Sequence, residues 1–216
     1  MHLFTIFYFI TMHNSQTLLS LLLKGGWLMF PLALLSLIGV YIIVERLLRY
    51  HKYLRFSDNF LKELEEQLNN GNIERIYQLC LPQENVIQKV ISKGLQQRQV
   101  SAKGVELILE SESNKMISFL EKNLSFLATI SGAAPMIGFL GTVTGMIQTF
   151  MAIAQEKNHV SAQIFSSGIY EAMVTTVAGL MVGITAYLGY NYCIAQVNNT
   201  AKKLTCLANL FLANLR

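Results

Sequence analysis

One acidic residue interrupts an otherwise uncharged run from Ala162 to Val197: Glu171, followed one helical turn later by Thr175 and Thr176. An ionisable group inside a membrane helix costs about 2.5–3.5 kcal/mol when central, so its presence points to a task. A second uncharged run, Leu124 to Gln155, carries Thr142 and Thr144 among Gly138, Gly141 and Gly145. A membrane threonine commonly bonds back to a carbonyl of its own helix, so a single one carries little weight. Threonines in two consecutive runs at similar depth, joined by a short loop, make an antiparallel hairpin with one polar stripe. Such a stripe suits a pore or a polar partner. The chemistry it supports is movement of protons, not making of bonds. No phosphate-cradling glycine loop, HExxH or GxSxG occurs. His2, His13, His51 and His159 are scattered, and Cys80, Cys193 and Cys206 form no CxxC pair. No catalytic residue, metal site or cofactor is expected, and the chain does not read as an enzyme.

These groups require membrane helices to position them. The chain has 216 residues, 52% hydrophobic and only 14% charged, against about 25% charged in a typical soluble domain. Disorder is excluded by the same figures. A net charge of +4 without interleaved basic and aromatic residues gives no sign of nucleic-acid binding. Crossing a hydrocarbon core of about 30 Å takes about 20 apolar helical residues, and three runs suffice: Gly25 to Val44, Leu124 to Gln155, and Ala162 to about Val197. Each must be a helix, because lipid cannot satisfy the backbone. The expected fold is therefore an all-α integral membrane protein. Its divisions are an N-terminal extracytoplasmic or membrane-surface segment (1–24), a first span (25–48), a cytoplasmic helical insertion (49–123), a second span (124–155), a third (162–197) and a cytoplasmic tail (198–216). The second and third runs exceed the bilayer and are expected to project beyond it.

His2 to Met12 lacks both the basic residue before it and the small-residue site after it that a cleaved signal needs. Ser15 to Leu23 reads as a membrane-surface helix, and residues 1–12 as the product of an upstream start. Arg46, Arg49, Lys52 and Arg55 crowd the exit of the first span, and Lys202, Lys203 and Arg216 follow the third. Basic residues favour the cytoplasmic side, which puts the N-terminus outside and the C-terminus inside.

The insertion reads as helices. Ser57-Asp58 caps one bearing Phe60, Leu61, Leu64 and Leu68, which Asn70-Gly71 stops. Ile73 to Leu81 is a second, ended by Pro82, and Val86, Ile87, Val90, Ile91 and Leu95 mark a third. A fourth, capped by Ser101, is expected to lead directly into the second span. Lys62, Glu63, Glu65 and Glu66 read as solvated surface. In the spans, Ala134/Gly138, Gly141/Gly145 and Gly179/Gly183 are small-xxx-small pairs that let backbones approach, and ordinary helix packing accounts for them. Pro135 removes one helical hydrogen bond and is expected to bend its span.

Three stretches together resemble the MotA/TolQ/ExbB proton-channel family, and most of all its ExbB branch: GWLMFPLALLSLIGVYIIVERL from Gly26, APMIGFLGTVTGMIQTF from Ala134 and GIYEAMVTTVAGLMVG from Gly168. The resemblance implies a pentameric ring whose second and third spans line a lumen. That lumen would hold the single-span helices of an ExbD-like partner, whose membrane aspartate carries the proton. Proton flow would then deliver force to a TonB-like protein serving outer-membrane transport, from the bacterial inner membrane. By resemblance Thr142 and Thr176 correspond to the pore threonines and Glu171 to the intramembrane glutamate. Thr175 stands where several relatives have a small apolar residue. The alternatives are a TolQ-like subunit energising envelope constriction and a membrane scaffold that conducts no ions.

Overall fold

The computed structural model describes residues 25–54, 56–97, 101–155 and 162–214. The expected membrane-surface segment lies outside them. The described residues form seven helices and no strand: α1 (Met29–Tyr53), α2 (Asp58–Asn69), α3 (Ile73–Cys80), α4 (Val86–Gln96), α5 (Ala102–Glu121), α6 (Leu124–Gln155) and α7 (Ala162–Ala213). Three stretches are long and apolar enough to cross a membrane, within Met29–Tyr53, Lys103–Gln155 and Gly168–Ala213. Along them large apolar side chains stand exposed, Phe30, Leu37, Met136, Phe139, Met173 and Ile184 among them. Such a surface suits lipid or neighbouring helices, not water.

The chain forms two compact units. The first holds α1 as far as Tyr41, α6 from Phe126, and α7 as far as Leu188. A turn over Gly25–Leu28 leads into α1, with Gly26 in the left-handed region at φ +68°. Pro31 falls in the first turn of α1, where a helix has no use for that N–H. α6 runs unbroken through Pro135. The proline ring packs where Gly183 leaves room, since a methyl group there would lie 2.5 Å from its Cγ.

The second unit holds the end of α1 from Ile42, the helices α2 to α5, and α7 from Gly189. Its core joins Leu64 and Leu68 of α2, Ile76 and Cys80 of α3, Ile87 and Ile91 of α4, Leu109 of α5, and Leu204, Leu207 and Phe211 of α7. The caps expected at Ser57 and Ser101 form, and a further one, not singled out from the sequence, stands at Asn85. Ser57 accepts from the Asn59 N–H at 3.3 Å, Ser101 accepts from the Gly104 N–H at 3.3 Å, and Asn85 with Gln88 forms a full capping box. These side chains satisfy donors that the first turn leaves free. Lys62, Glu65 and Glu66 are exposed, and half-buried Glu63 pairs with Arg75 at 2.7 Å.

Two features differ from the simple reading. α5 does not run on into α6: it ends at Glu121, and Asn123 takes a left-handed φ of 65°. The reason is a buried arginine. Arg46, fully buried, donates to the carbonyls of Phe119 at 3.2 Å and Leu120 at 3.4 Å, and the Tyr50 hydroxyl donates to Leu120 O at 3.0 Å. The carbonyls of a last helical turn lack partners of their own, so this cation and hydroxyl cap α5 from its side. Glu45 balances the charge, lying 3.2 Å from Arg46 and 2.6 Å from Arg49. The second difference is α7, which continues past Val197 to Ala213, so the tail expected over 198–216 is helical that far. At 1.5 Å per residue it measures about 78 Å along its axis. Just beyond its end, the Asn214 side-chain amide donates to Leu68 O and closes the last turn of α2.

Candidate functional site

Within the first unit α6 and α7 run antiparallel along a seam of small residues. A methyl group added at Gly179 would lie 2.6 Å from Ala134 O and 2.8 Å from the Cα of Gly138. One turn on, a methyl at Gly141 would meet Thr175 at 2.5 Å, and one at Gly145 would meet Ala172 at 2.9 Å. Gly168 then abuts Thr149. Backbones this close leave no room for a β-carbon, which is what the spacing of small residues requires. Ala134, Pro135, Gly138, Gly141, Gly145, Gly179 and Gly183 thus all lie on one contact between two helices of a single chain.

The seam fixes the polar groups. Thr176 donates across it to Gly138 O at 2.8 Å. Thr175, only 2% exposed, donates to Glu171 O at 2.8 Å and to Gly25 O at 3.1 Å, 150 residues away. Its single proton is thereby committed, so toward any third group this hydroxyl can only accept. The Glu171 side chain reaches the turn before α1, where its Oε1 lies against the bare Cα of Gly26. Thr144, Gln148, Glu171 and Thr175 line one small crevice together with Gly25–Leu28, Gly141 and Gly145. A carboxyl, two hydroxyls and an amide thus face one space.

The residues singled out from the sequence therefore separate. Glu171 and Thr175 meet in the crevice. Thr176 is spent on holding α6 to α7. Thr142 stands apart from the crevice, half-buried, and donates to Phe139 O of its own helix at 2.7 Å. Thr144 also bonds back, to Leu140 O at 3.0 Å and Gly141 O at 3.1 Å, yet its side chain faces the crevice. Sequence reasoning overlooked Gln148 and Gly26. Gln148 follows Thr144 by four residues, hence on the same helix face. No local signal marks Gly26, since its role depends on a side chain 145 positions further on. Among the described residues no three His, Cys, Asp or Glu side chains gather as a metal site would require.

Residues 82–205 match the sequence profile of the MotA/TolQ/ExbB proton channel family, more than half of the chain. The chain belongs to this family. Over 184 residues it is 31% identical to the putative biopolymer transport protein ExbB-like 1 of Synechocystis, an alignment covering 84% of this chain and 72% of that protein. Over 105 residues it is 34% identical to the biopolymer transport protein ExbB of Aquifex aeolicus, covering 44% and 70% respectively. The Tol-Pal system protein TolQ of Haemophilus influenzae is 36% identical over 96 residues, 44% of this chain and 42% of that protein. Membership of the MotA/TolQ/ExbB family, together with three apolar helices, makes this a multi-pass inner-membrane protein and a membrane channel subunit. The matched stretch contains Thr144, Gln148, Glu171 and Thr175, but neither Gly26 nor Arg46.

Proposed function

We propose that the chain is the ring-forming subunit of an ExbB–ExbD-type motor, in which the proton motive force energises TonB-dependent outer-membrane transport. The observation that carries this reading is the crevice: the acid of the third span, Glu171, shares one space with Thr144, Gln148 and Thr175. An acid in an apolar helix must be neutralised or offered hydrogen bonds. Hydroxyls that accept from the protonated acid, and an amide that can donate to it, offer them without adding a charge that would trap the proton. One charge moved through 100 mV yields about 2.3 kcal/mol, enough to bias a conformational step. In this reading the working assembly is a homopentamer in the inner membrane. The N-terminus is periplasmic, the insertion over 49–123 and the C-terminus are cytoplasmic, and α6 and α7 face a lumen. Half-buried Thr142 would meet that lumen or its occupant, an ExbD-like single-span helix with a membrane aspartate, while a TonB-like protein takes up the force. The similarity to TolQ of Haemophilus influenzae favours a second reading, a Tol-Pal-type subunit with a different periplasmic partner. Both share the proton step.

Co-purified with its single-span partner and reconstituted in liposomes, the assembly is expected to take up protons under an imposed gradient, and Glu171→Gln to abolish uptake while native mass spectrometry still finds the complex. Undiminished uptake by the Glu171→Gln assembly would refute the reading and leave a membrane scaffold. Stoichiometry from the same spectra tests the ring.

A further inference from the structure

Two contacts bind the turn before α1 to the acid-bearing stretch of α7. Gly25 offers its carbonyl to the buried Thr175 hydroxyl at 3.1 Å. Gly26 brings its bare Cα against the Glu171 carboxyl, where a methyl group would overlap Oε1 and lie 3.3 Å from Cδ. Thr175 in turn donates to Glu171 O, so the same hydroxyl ties the turn to the backbone of the acid itself. The glycine pair thus forms the wall that the acid rests on.

We infer that the Gly25–Gly26 turn is a positioning element for Glu171: it holds the carboxyl inside the crevice, and a side chain at position 26 expels it. The inference rests on the proposed proton role of Glu171 for its functional consequence, though not for the contact. Position 26 makes two separable demands. A φ of +68° disfavours any residue with a β-carbon. Independently, the space a β-carbon needs is filled by the carboxyl. Shortening the acid separates the two, because Asp at 171 withdraws the carboxyl by one carbon–carbon bond, about 1.5 Å. Backbone strain from Gly26→Ala is equal in both backgrounds; the collision exists only with Glu. The coupling between the two substitutions therefore isolates the contact.

The experiment compares the native assembly, Gly26→Ala, Glu171→Asp and the double variant, each co-purified with the single-span partner in liposomes. It reads proton uptake and, separately, the rate at which a hydrophobic carbodiimide modifies residue 171, followed by mass spectrometry. Gly26→Ala is expected to cut uptake at least tenfold in the Glu background and less than twofold in the Asp background. Modification of Glu171 should quicken at least fivefold as the acid leaves its shelter, with no such change for Asp. Thr175→Val, which leaves φ at Gly26 untouched, should also quicken modification, and Thr175→Ser should restore the native rate. Equal factors in both backgrounds would reduce Gly26 to backbone strain and overturn the inference, as would native modification rates in both Gly26→Ala and Thr175→Val. If Glu171→Gln retains uptake while Gly26→Ala still quickens modification, the positioning stands and the proton role falls.

Discussion

At the scale of single residues, the threonines show how one side-chain type divides its labour. Thr142 and Thr144 satisfy themselves on their own helix, whereas Thr175 and Thr176 reach other segments. Gly138 O keeps its own helical N–H, so removing the Thr176 hydroxyl costs one net hydrogen bond across the seam, about 0.5–1.5 kcal/mol. Thr176→Val is therefore expected to lower the melting temperature of the detergent-solubilised protein, while Thr142→Val leaves it near native. Proton uptake is the further readout, on which a Thr142→Val/Thr176→Val pair should fail if both hydroxyls serve the lumen. Arg46 presents the sharper case. Read from sequence it is one of several basic residues marking the exit of a span; in the structure it is wholly buried on the end of α5. Arg46→Ala removes one of the two partners of Glu45 and the donor to two carbonyls, an expected loss of about 1–3 kcal/mol measured by chemical denaturation. No sequence pattern separates a buried arginine from a solvated one when both follow an apolar run.

Cys80 illustrates a residue whose surroundings set its chemistry. Burial pushes its thiol up to about 12 from an ordinary 9.0. The folded protein thus keeps the proton where the unfolded chain loses it, so this group's contribution to stability is full below pH 9. It falls as pH rises toward 12, by at most about 1.4 kcal/mol per pH unit. Exposed Cys206 is expected to be alkylated readily at pH 8.5, and Cys80 only on unfolding, as mass spectrometry of iodoacetamide-treated protein would record.

At the scale of elements, periodicity and the caps at Ser57 and Ser101 made the insertion legible, while the capping box at Asn85 went unread. The three apolar runs were equally plain, because nothing but a membrane helix accommodates them. Helix ends were less legible. α5 stops because α1 captures its carbonyls, and α7 goes on because Leu204, Leu207 and Phe211 find a core, and both are tertiary effects. The small-residue pattern announced a close helix contact without naming the helices. The structure assigns it to α6 with α7, which makes Gly179→Leu a defect of the single chain. The melting temperature of the solubilised protein is expected to fall steeply for Gly179→Leu, since overpacking costs about 1–3 kcal/mol or more. Gly132→Leu, with nothing within 4 Å of its β-carbon, is the matched control and should melt as native.

For the molecule as a whole, the family profile spans residues 82–205. The second unit draws its core from beyond both borders, using Leu64, Leu68 and Ile76 before and Leu207 and Phe211 after. Arg46, which finishes α5, also lies upstream. The stretch that matches the family profile is thus narrower than the packed unit it belongs to. Expressed alone, the 82–205 piece would present an unfinished bundle, and grafting that piece into a related protein would succeed only if the recipient supplied its own flanking helices. A chimera whose borders take in Arg46 upstream and Phe211 downstream would carry that core whole.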